Sequence, residues 1–188
     1  MHKDIIQAIE VLSNGGIILY PTDTIWGIGC DPTNETAIEK IHKIKKSDYS
    51  KSMVILINNT NMLDRYVDIV PDIAYDLIEV STNPLTIVYP GAKNLPENLI
   101  AKDGTIGIRV VSSGFCFELI SKFRKPVVST SANYSGDNPP SNFSQIPSEI
   151  LKSVDYVVAY GQNDHSQKKP SEIIKLGVSG EIEIIRHF

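Results

Sequence analysis

Apolar residues recur along the chain in two rhythms. In "DIIQAIEVLSNGG", Ile5, Ile9 and Leu12 share one helical face and Gly15-Gly16 supply a stop, which predicts an N-terminal helix. The run "IILY" that follows reads as a strand, and Pro21 ends it, because a proline ring fixes φ and removes a ladder donor. Helical spacing returns in "TNETAIEKIHKIKK" through Ile38, Ile41 and Ile44, with Thr33 or Asn34 as cap. "MVILI" at 53–57 is a continuous apolar run, the pattern of a strand covered on both faces. "PDIAYDLIEV" predicts a third helix with Pro71 in its first turn and Ile73, Leu77 and Val80 inward, and "PLTIVYP" another strand.

The second half continues the alternation. "TIGIRVV" reads as strand, "FCFELISKF" as helix and "PVVSTSAN" as strand, followed by the loop "YSGDNPPSNFSQ", rich in Gly, Pro, Ser and Asn. Ser148 is the expected cap of a short helix "SEILKSV". "YVVAYG", "SEIIKLG" and "EIEIIR" read as three further strands, with the polar segment "GQNDHSQKKP" between the first two. About eight strands for about five helices require some antiparallel neighbours, so the expected class is α/β, a twisted open mixed sheet flanked by helices. No repeat, heptad or linker divides the chain, and its 188 residues suit one domain over 1–188.

Composition narrows the function. With 41% apolar and 21% charged residues the chain sits near globular averages, which removes disordered and fibrous readings. No apolar run approaches the roughly 20 residues of a membrane helix. The start "MHKDIIQAIEVL" alternates charge with apolar residues, unlike a signal peptide, so a cytoplasmic location is expected. Cys30 and Cys116 are too few for a disulfide framework, and His2, His42, His165 and His187 form no close pair, so no metal ligands are assigned. The net charge of −4 argues against a generally basic nucleic-acid binder.

Four places could carry chemistry. In "YPTDTIWGIGCDPTN" the chain leaves a strand at Pro21, and Thr22, Asp23 and Thr24 put hydroxyls and a carboxylate at the strand end, where open α/β sheets bind ligands. The same pattern also suits a tight turn with local side-chain caps. Lys40, Lys43, Lys45, Lys46 and Lys51 cluster at and beyond a helix C-terminus, which fits either a dipole-satisfying solvated end or an anion site. In "KPVVSTSANYSG", Ser129, Thr130, Ser131 and Asn133 can line a polar pocket or build an ordinary turn. Arg109, inside the apolar "IGIRVV", needs a carboxylate or phosphate partner from the protein or a ligand. No phosphate loop, dinucleotide fingerprint or nucleophile-plus-base motif is present, so chemistry here would work by positioning. Trp26 stands alone as an aromatic in the opening stretch, which offers no stacking platform for RNA.

In order and spacing, "YPTDTIWGIGCDP", "KIKKSDYSKSMVILI", "PLTIVYPG", "TIGIRV", "KPVVSTSAN" with its following Ser-Gly, and "KPSEII" resemble the YrdC-like family, which contains the threonylcarbamoyl-AMP synthases. The resemblance runs from about Ile5 to Arg186 and implies a YrdC-like open sheet with a large cationic cavity. The implied activity is that of a nucleotidyltransferase joining L-threonine, bicarbonate and ATP into threonylcarbamoyl-AMP and pyrophosphate. Mg²⁺ would accompany ATP, and the product would feed a separate transferase complex that modifies adenosine in tRNA. The alternatives within this fold are a module binding double-stranded RNA or tRNA, or a relative that is inactive or uses another carbamoyl donor.

Residue by residue, the resemblance makes Thr22 a threonine contact and Arg109 the holder of its carboxylate, with Ser129 and Ser171 completing that subsite. Lys45 matches the lysine of a Lys-x-Arg element and would face ATP phosphates, as would Ser131 and Asn133. Lys45 and Arg109 are thus the implied catalytic pair, with Thr105, Ser141 and Arg186 as further nucleotide contacts. Two positions depart from the pattern. Ser47 stands where the element has arginine and cannot replace a bidentate phosphate donor, leaving Lys46 or Lys51 to compensate. Ser81-Thr82-Asn83 stands where Trp-Pro-Gly is usual.

Overall fold

The computed structural model describes residues 1–47 and 53–187. Five α-helices and nine strands follow in chain order: α1 (His2–Ser13), β1 (Ile18–Tyr20), β2 (Gly27–Gly29), α2 (Glu35–Lys45), β3 (Val54–Ile57), α3 (Asp72–Val80), β4 (Leu85–Tyr89), β5 (Ile106–Val110), α4 (Gly114–Phe123), β6 (Val127–Ser131), α5 (Ser148–Ser153), β7 (Tyr156–Val157), β8 (Glu172–Leu176) and β9 (Ile182–Arg186). The strands form one sheet in the order β7-β1-β2-β6-β3-β5-β4-β8-β9. The pairs β1/β7, β3/β5 and β4/β8 are parallel and the others antiparallel, the mixed sheet expected from the excess of strands over helices.

β6 is the seam of this sheet. Ser131 and Thr130 pair with Gly27 and Ile28 of β2, while Ser129, Val128 and Val127 pair with Val54, Ile55 and Leu56 of β3. Side chains alternate across a strand, so Val128 enters the apolar core and its neighbour Ser129 faces the other way. Gly27–Gly29 lies in the stretch read from sequence as leaving the sheet at Pro21, with no strand assigned to it. It is instead a strand, β2, made possible by its two glycines: a Cβ on Gly29 would strike the carbonyl oxygen of Val128 and come within 2.8 Å of the Tyr20 ring.

Helix ends follow local chemistry with three differences from expectation. The Asn34 side chain accepts the Ala37 N–H and caps α2, and Lys46 closes it in the left-handed region at φ 51. Pro71 precedes α3 as its cap residue instead of lying in the first turn. Val80 was expected inward but is 72% exposed, because the buried face of α3 centres on Ala74 and a helix turns about 100° per residue. Extended Pro147 occupies the cap position of α5, so Ser148 begins the helix instead of capping it. Two 3-10 turns, Thr60–Arg65 and Phe143–Gln145, lie where only loop was expected. The strand read in "YVVAYG" contracts to two residues, Tyr156–Val157.

At the far edge, β9 carries one irregularity that matters for the site. Ile174 pairs with Ile184 but Ile173 pairs with Arg186, so Ile185 is an extra residue, a bulge. The bulge turns Arg186 onto the face of Ile173, and both line the cavity described next. In an unbulged ladder Arg186 would share the outward face of Ile184.

Candidate functional site

A cavity of about 420 Å³ opens on the sheet face opposite the apolar one, bounded by β6, β5, the start of β8, the C-terminus of α2 and the loop after β6. Its volume falls in the range of small-molecule sites, roughly 300–1000 Å³. Eight of the residues singled out by sequence line it: Thr22, Lys45, Arg109, Ser129, Ser131, Asn133, Ser171 and Arg186. Among the described residues the wall therefore holds the cations Lys45, Arg109 and Arg186 against one carboxylate, Asp137.

One corner is built by β5, β4 and the start of β8. Arg109 is buried, pairs across the ladder with Thr86, and places Nη2 3.0 Å from Asp23 Oδ1. The intramolecular partner foreseen as one possibility for this guanidinium is thus Asp23. Thr86 Oγ1 and Ser171 Oγ lie 2.8 Å apart, and Arg186 Nε donates to the Ser171 carbonyl at 2.8 Å. Burial and the nearby Arg109 charge hold the Arg186 proton affinity below its ordinary value. Two guanidinium groups directed at one corner disfavour each other and favour an anion between them. Arg109 Nε is buried without a partner among the described residues, an unmet donor at this wall.

The other side is built by the end of α2 and the loop after β6. Lys45 Nζ donates to the carbonyls of Ser131 at 2.6 Å and Asn133 at 2.7 Å, and the Ser135 N–H returns a bond to the Lys45 carbonyl at 2.8 Å. Asn133 Nδ2 donates to the carbonyls of Tyr134 and Asp137, fixing the loop, while its Oδ1 is buried and unpaired. Burial without a carboxylate partner pushes the Lys45 ammonium down to about 8. Among the described lysines of the cluster only Lys45 reaches the wall. Lys40 and Lys43 are exposed, with Lys43 on Glu39 at 2.7 Å. Lys51 lies outside the described residues.

Three of the proposed contacts are not brought to the cavity wall. Lys46 is exposed, its ammonium 4.2 Å from the centre of the Tyr134 ring. Thr105 lies beyond the wall, its hydroxyl spent on Asp103 at 2.7 Å. Ser141 takes its backbone N–H to Gln145 Oε1. Thr22 is at the wall, but its hydroxyl is fully used: it donates to the Ile25 carbonyl at 2.6 Å and accepts from the N–H and hydroxyl of Thr24. Both readings of the opening stretch hold together, since the capped turn is itself the cavity rim.

The wall also contains Trp26, His42 and Ser47, which carried no role in the sequence reading. Trp26 does not stand alone: its ring lies 4.8 Å from that of Phe143. His42 was legible in principle, lying three residues before Lys45 and so on the same helical face.

With this geometry in view, likeness to known proteins is informative. The Sua5/YciO/YrdC family, described as telomere recombination, matches residues 10–187. The threonylcarbamoyl-AMP synthase of Pseudoalteromonas translucida (strain TAC 125) is 37% identical over 157 residues, 82% of this chain and 84% of that protein. The crystal structure of E. coli YciO superposes with a TM-score of 0.84 at 26% identity, covering 99% of this chain and 89% of YciO. P. abyssi Sua5 complexed with L-threonine superposes with a TM-score of 0.83 at 22% identity, covering 92% of this chain but 50% of Sua5, a likeness of fold. A match of this extent in sequence and in sheet architecture is decisive: the chain belongs to the Sua5/YciO/YrdC family.

Proposed function

We propose that this chain is a threonylcarbamoyl-AMP synthase, an ATP-dependent nucleotidyltransferase that condenses L-threonine, bicarbonate and ATP. The observation that carries this reading is the pairing, in one cavity, of a two-arginine corner with an unmet Arg109 donor and a buried lysine across from it. The synthase of P. translucida, alike over most of both chains, supports it. Arg109 and the Ser171 and Ser129 hydroxyls would receive the amino acid, its carboxylate against the guanidinium. Lys45 and Ser131 would face the phosphates, while Asn133, whose Nδ2 is spent on the loop, would offer Oδ1 to a donor group of the nucleotide, and Arg186 stands on the arginine side of the same space.

The reaction balances without a covalent enzyme intermediate. The threonine amine takes up carbon from bicarbonate with loss of water, giving a carbamate. A carbamate oxygen then bonds to the α-phosphorus of ATP as the bond to pyrophosphate breaks. Both partners are anions, so the barrier falls when fixed cations screen them and hold them in line. Among the described residues no group of three or more His, Cys, Asp or Glu could hold a metal ion, and Asp137 is the one carboxylate on the wall. Mg²⁺ would thus enter on the phosphate oxygens of ATP instead of in a cage built by the protein. The product would be consumed by a separate transferase acting on adenosine in tRNA, which makes the cytoplasm the expected site of action. The test is pyrophosphate release from ATP with and without L-threonine and bicarbonate: release should need both, and release indifferent to threonine would overturn the reading.

A further inference from the structure

His42 and Ser47 line the cavity but have no part in the scheme above. His42 is 3% exposed on the face of α2 that carries Lys45. Its Nδ1 lies 2.6 Å from Ser47 Oγ and its Nε2 3.3 Å from the Asn98 carbonyl oxygen. A carbonyl can only accept, so Nε2 carries a hydrogen. In the neutral ring Nδ1 is then bare and accepts the Ser47 hydroxyl hydrogen. Ser47 in that state turns lone pairs, not a donor, toward the cavity, the wrong polarity for an anion. A second proton on the ring reverses the bond. Nδ1–H donates to Ser47 Oγ, and the Ser47 hydroxyl hydrogen is released to donate into the cavity beside Lys45.

We propose that His42 and Ser47 form a proton-linked anion contact, in which a phosphate group of ATP recruits one proton to His42 and is held by the released Ser47 hydroxyl and the new charge. This rests on the reading of ATP as substrate. Groups facing the ring include Ser47, the Asn98 carbonyl from the β4–β5 connection and the Lys45 ammonium on its own helix. Burial, and then the Lys45 charge, hold the ring below its ordinary 6.5, against the Asn98 carbonyl, which raises it. The empty site therefore has a neutral His42 near pH 7. A bound polyphosphate reverses the local field and favours the imidazolium. Lys45, which titrates near pH 8, is already largely protonated at pH 7 and so adds little proton uptake there.

The test is calorimetry of ATP binding to the whole chain near pH 7 in buffers of differing ionisation enthalpy, with wild type and His42→Gln side by side. ATP brings the same protons of its own to both, so the difference isolates the ring. Wild type should take up about one proton more than the variant, and its affinity should weaken by up to about tenfold per pH unit as the pH rises through the window. Nitrogen-15 NMR of the imidazole in unmodified protein keeps the test independent of how the variant folds. Nε2 alone should be protonated in the free protein, and both nitrogens with ATP bound. Equal proton uptake by the two proteins, or a ring that stays neutral with ATP bound, overturns the inference while leaving the synthase reading intact. No ATP binding at any pH overturns both.

Discussion

Replacing Lys45 by methionine separates the cost of the site to the fold from its value to the reaction. Lys45 is 8% exposed, and burial moves its ammonium from 10.5 to about 8. The unfolded chain therefore holds this proton more tightly, and between about pH 8 and 10.5 it binds more protons than the native state, so stability rises with pH across that window. At 1.36 kcal/mol per pH unit of displacement, keeping Lys45 charged costs the fold about 3 kcal/mol at neutral pH. Methionine is of similar length and removes that cost, but it strands the carbonyls of Ser131 and Asn133, at about 1–3 kcal/mol each. The terms oppose one another and are of similar size, so Lys45→Met should lie within about 2 kcal/mol of wild type at pH 7. Turnover with ATP should fall about 100-fold or more, as a preorganised charge at the phosphates is lost. Urea unfolding from about pH 7 to 10.5 reads the rest: wild type should gain about 3 kcal/mol on the variant as Lys45 loses its proton. Parallel stability curves would refute the reasoning, since they would mean the native state holds that proton as easily as the unfolded chain.

Three further substitutions test the walls of the cavity. A Cβ on Gly27 would lie 2.9 Å from Ser129 Oγ and 3.3 Å from Thr22 Cγ2, so Gly27→Ala should lower stability by about 1–3 kcal/mol and raise KM for threonine, and a wild-type KM would exclude these two side chains from the amino-acid subsite. Arg109→Gln should raise KM for threonine by about 10- to 100-fold, the worth of a charge-assisted hydrogen bond to carboxylate, with KM for ATP little changed; an effect confined to ATP would reverse the assignment of the two subsites. Deleting Ile185 should leave Arg186 opposite Ile173 in a now regular ladder, so activity should persist within about tenfold, and its loss would show that the bulge does more than set the face of Arg186.

Most of the fold was legible because its elements are amphipathic in the ordinary way. α1 buries Ile5, Ala8 and Leu12, and α2 buries Ile38 and Ile41, the positions that the 3.6-residue period selects. What escaped was set by tertiary contact. β2 is glycine-rich and three residues long, and nothing in "GIG" announces a strand until Val128 of β6 lies against it. Lys45 differs from Lys43 only in the side of α2 it occupies, yet one is stapled under the loop after β6 while the other pairs with Glu39 in solvent. A count of lysines makes a cationic patch, whereas the helical phase leaves one lysine at the cavity wall.

The site residues divide on the same physical line. Arg109 could be found from sequence because a guanidinium inside an apolar strand demands a partner, and Asp23 meets that demand at 3.0 Å. Arg186 could not be placed from alternation, since a strict period of two from Ile182 and Ile184 sends it outward; the bulge at Ile185 decides its face. Thr22 marks the limit of reading side chains as labels. Its position at the rim is as the sequence implied, yet its one hydrogen and both lone pairs are committed to Ile25 and Thr24. Its part at the rim is to hold Thr24, Ile25 and Trp26 in the cavity wall, while the unmet polar atoms, Arg109 Nε and Asn133 Oδ1, lie on residues of the strand and loop opposite. A ligand that completes those two atoms must offer an acceptor to the first and a donor to the second, which is the demand that an amino-acid carboxylate and a hydroxyl- or amine-bearing nucleotide jointly meet.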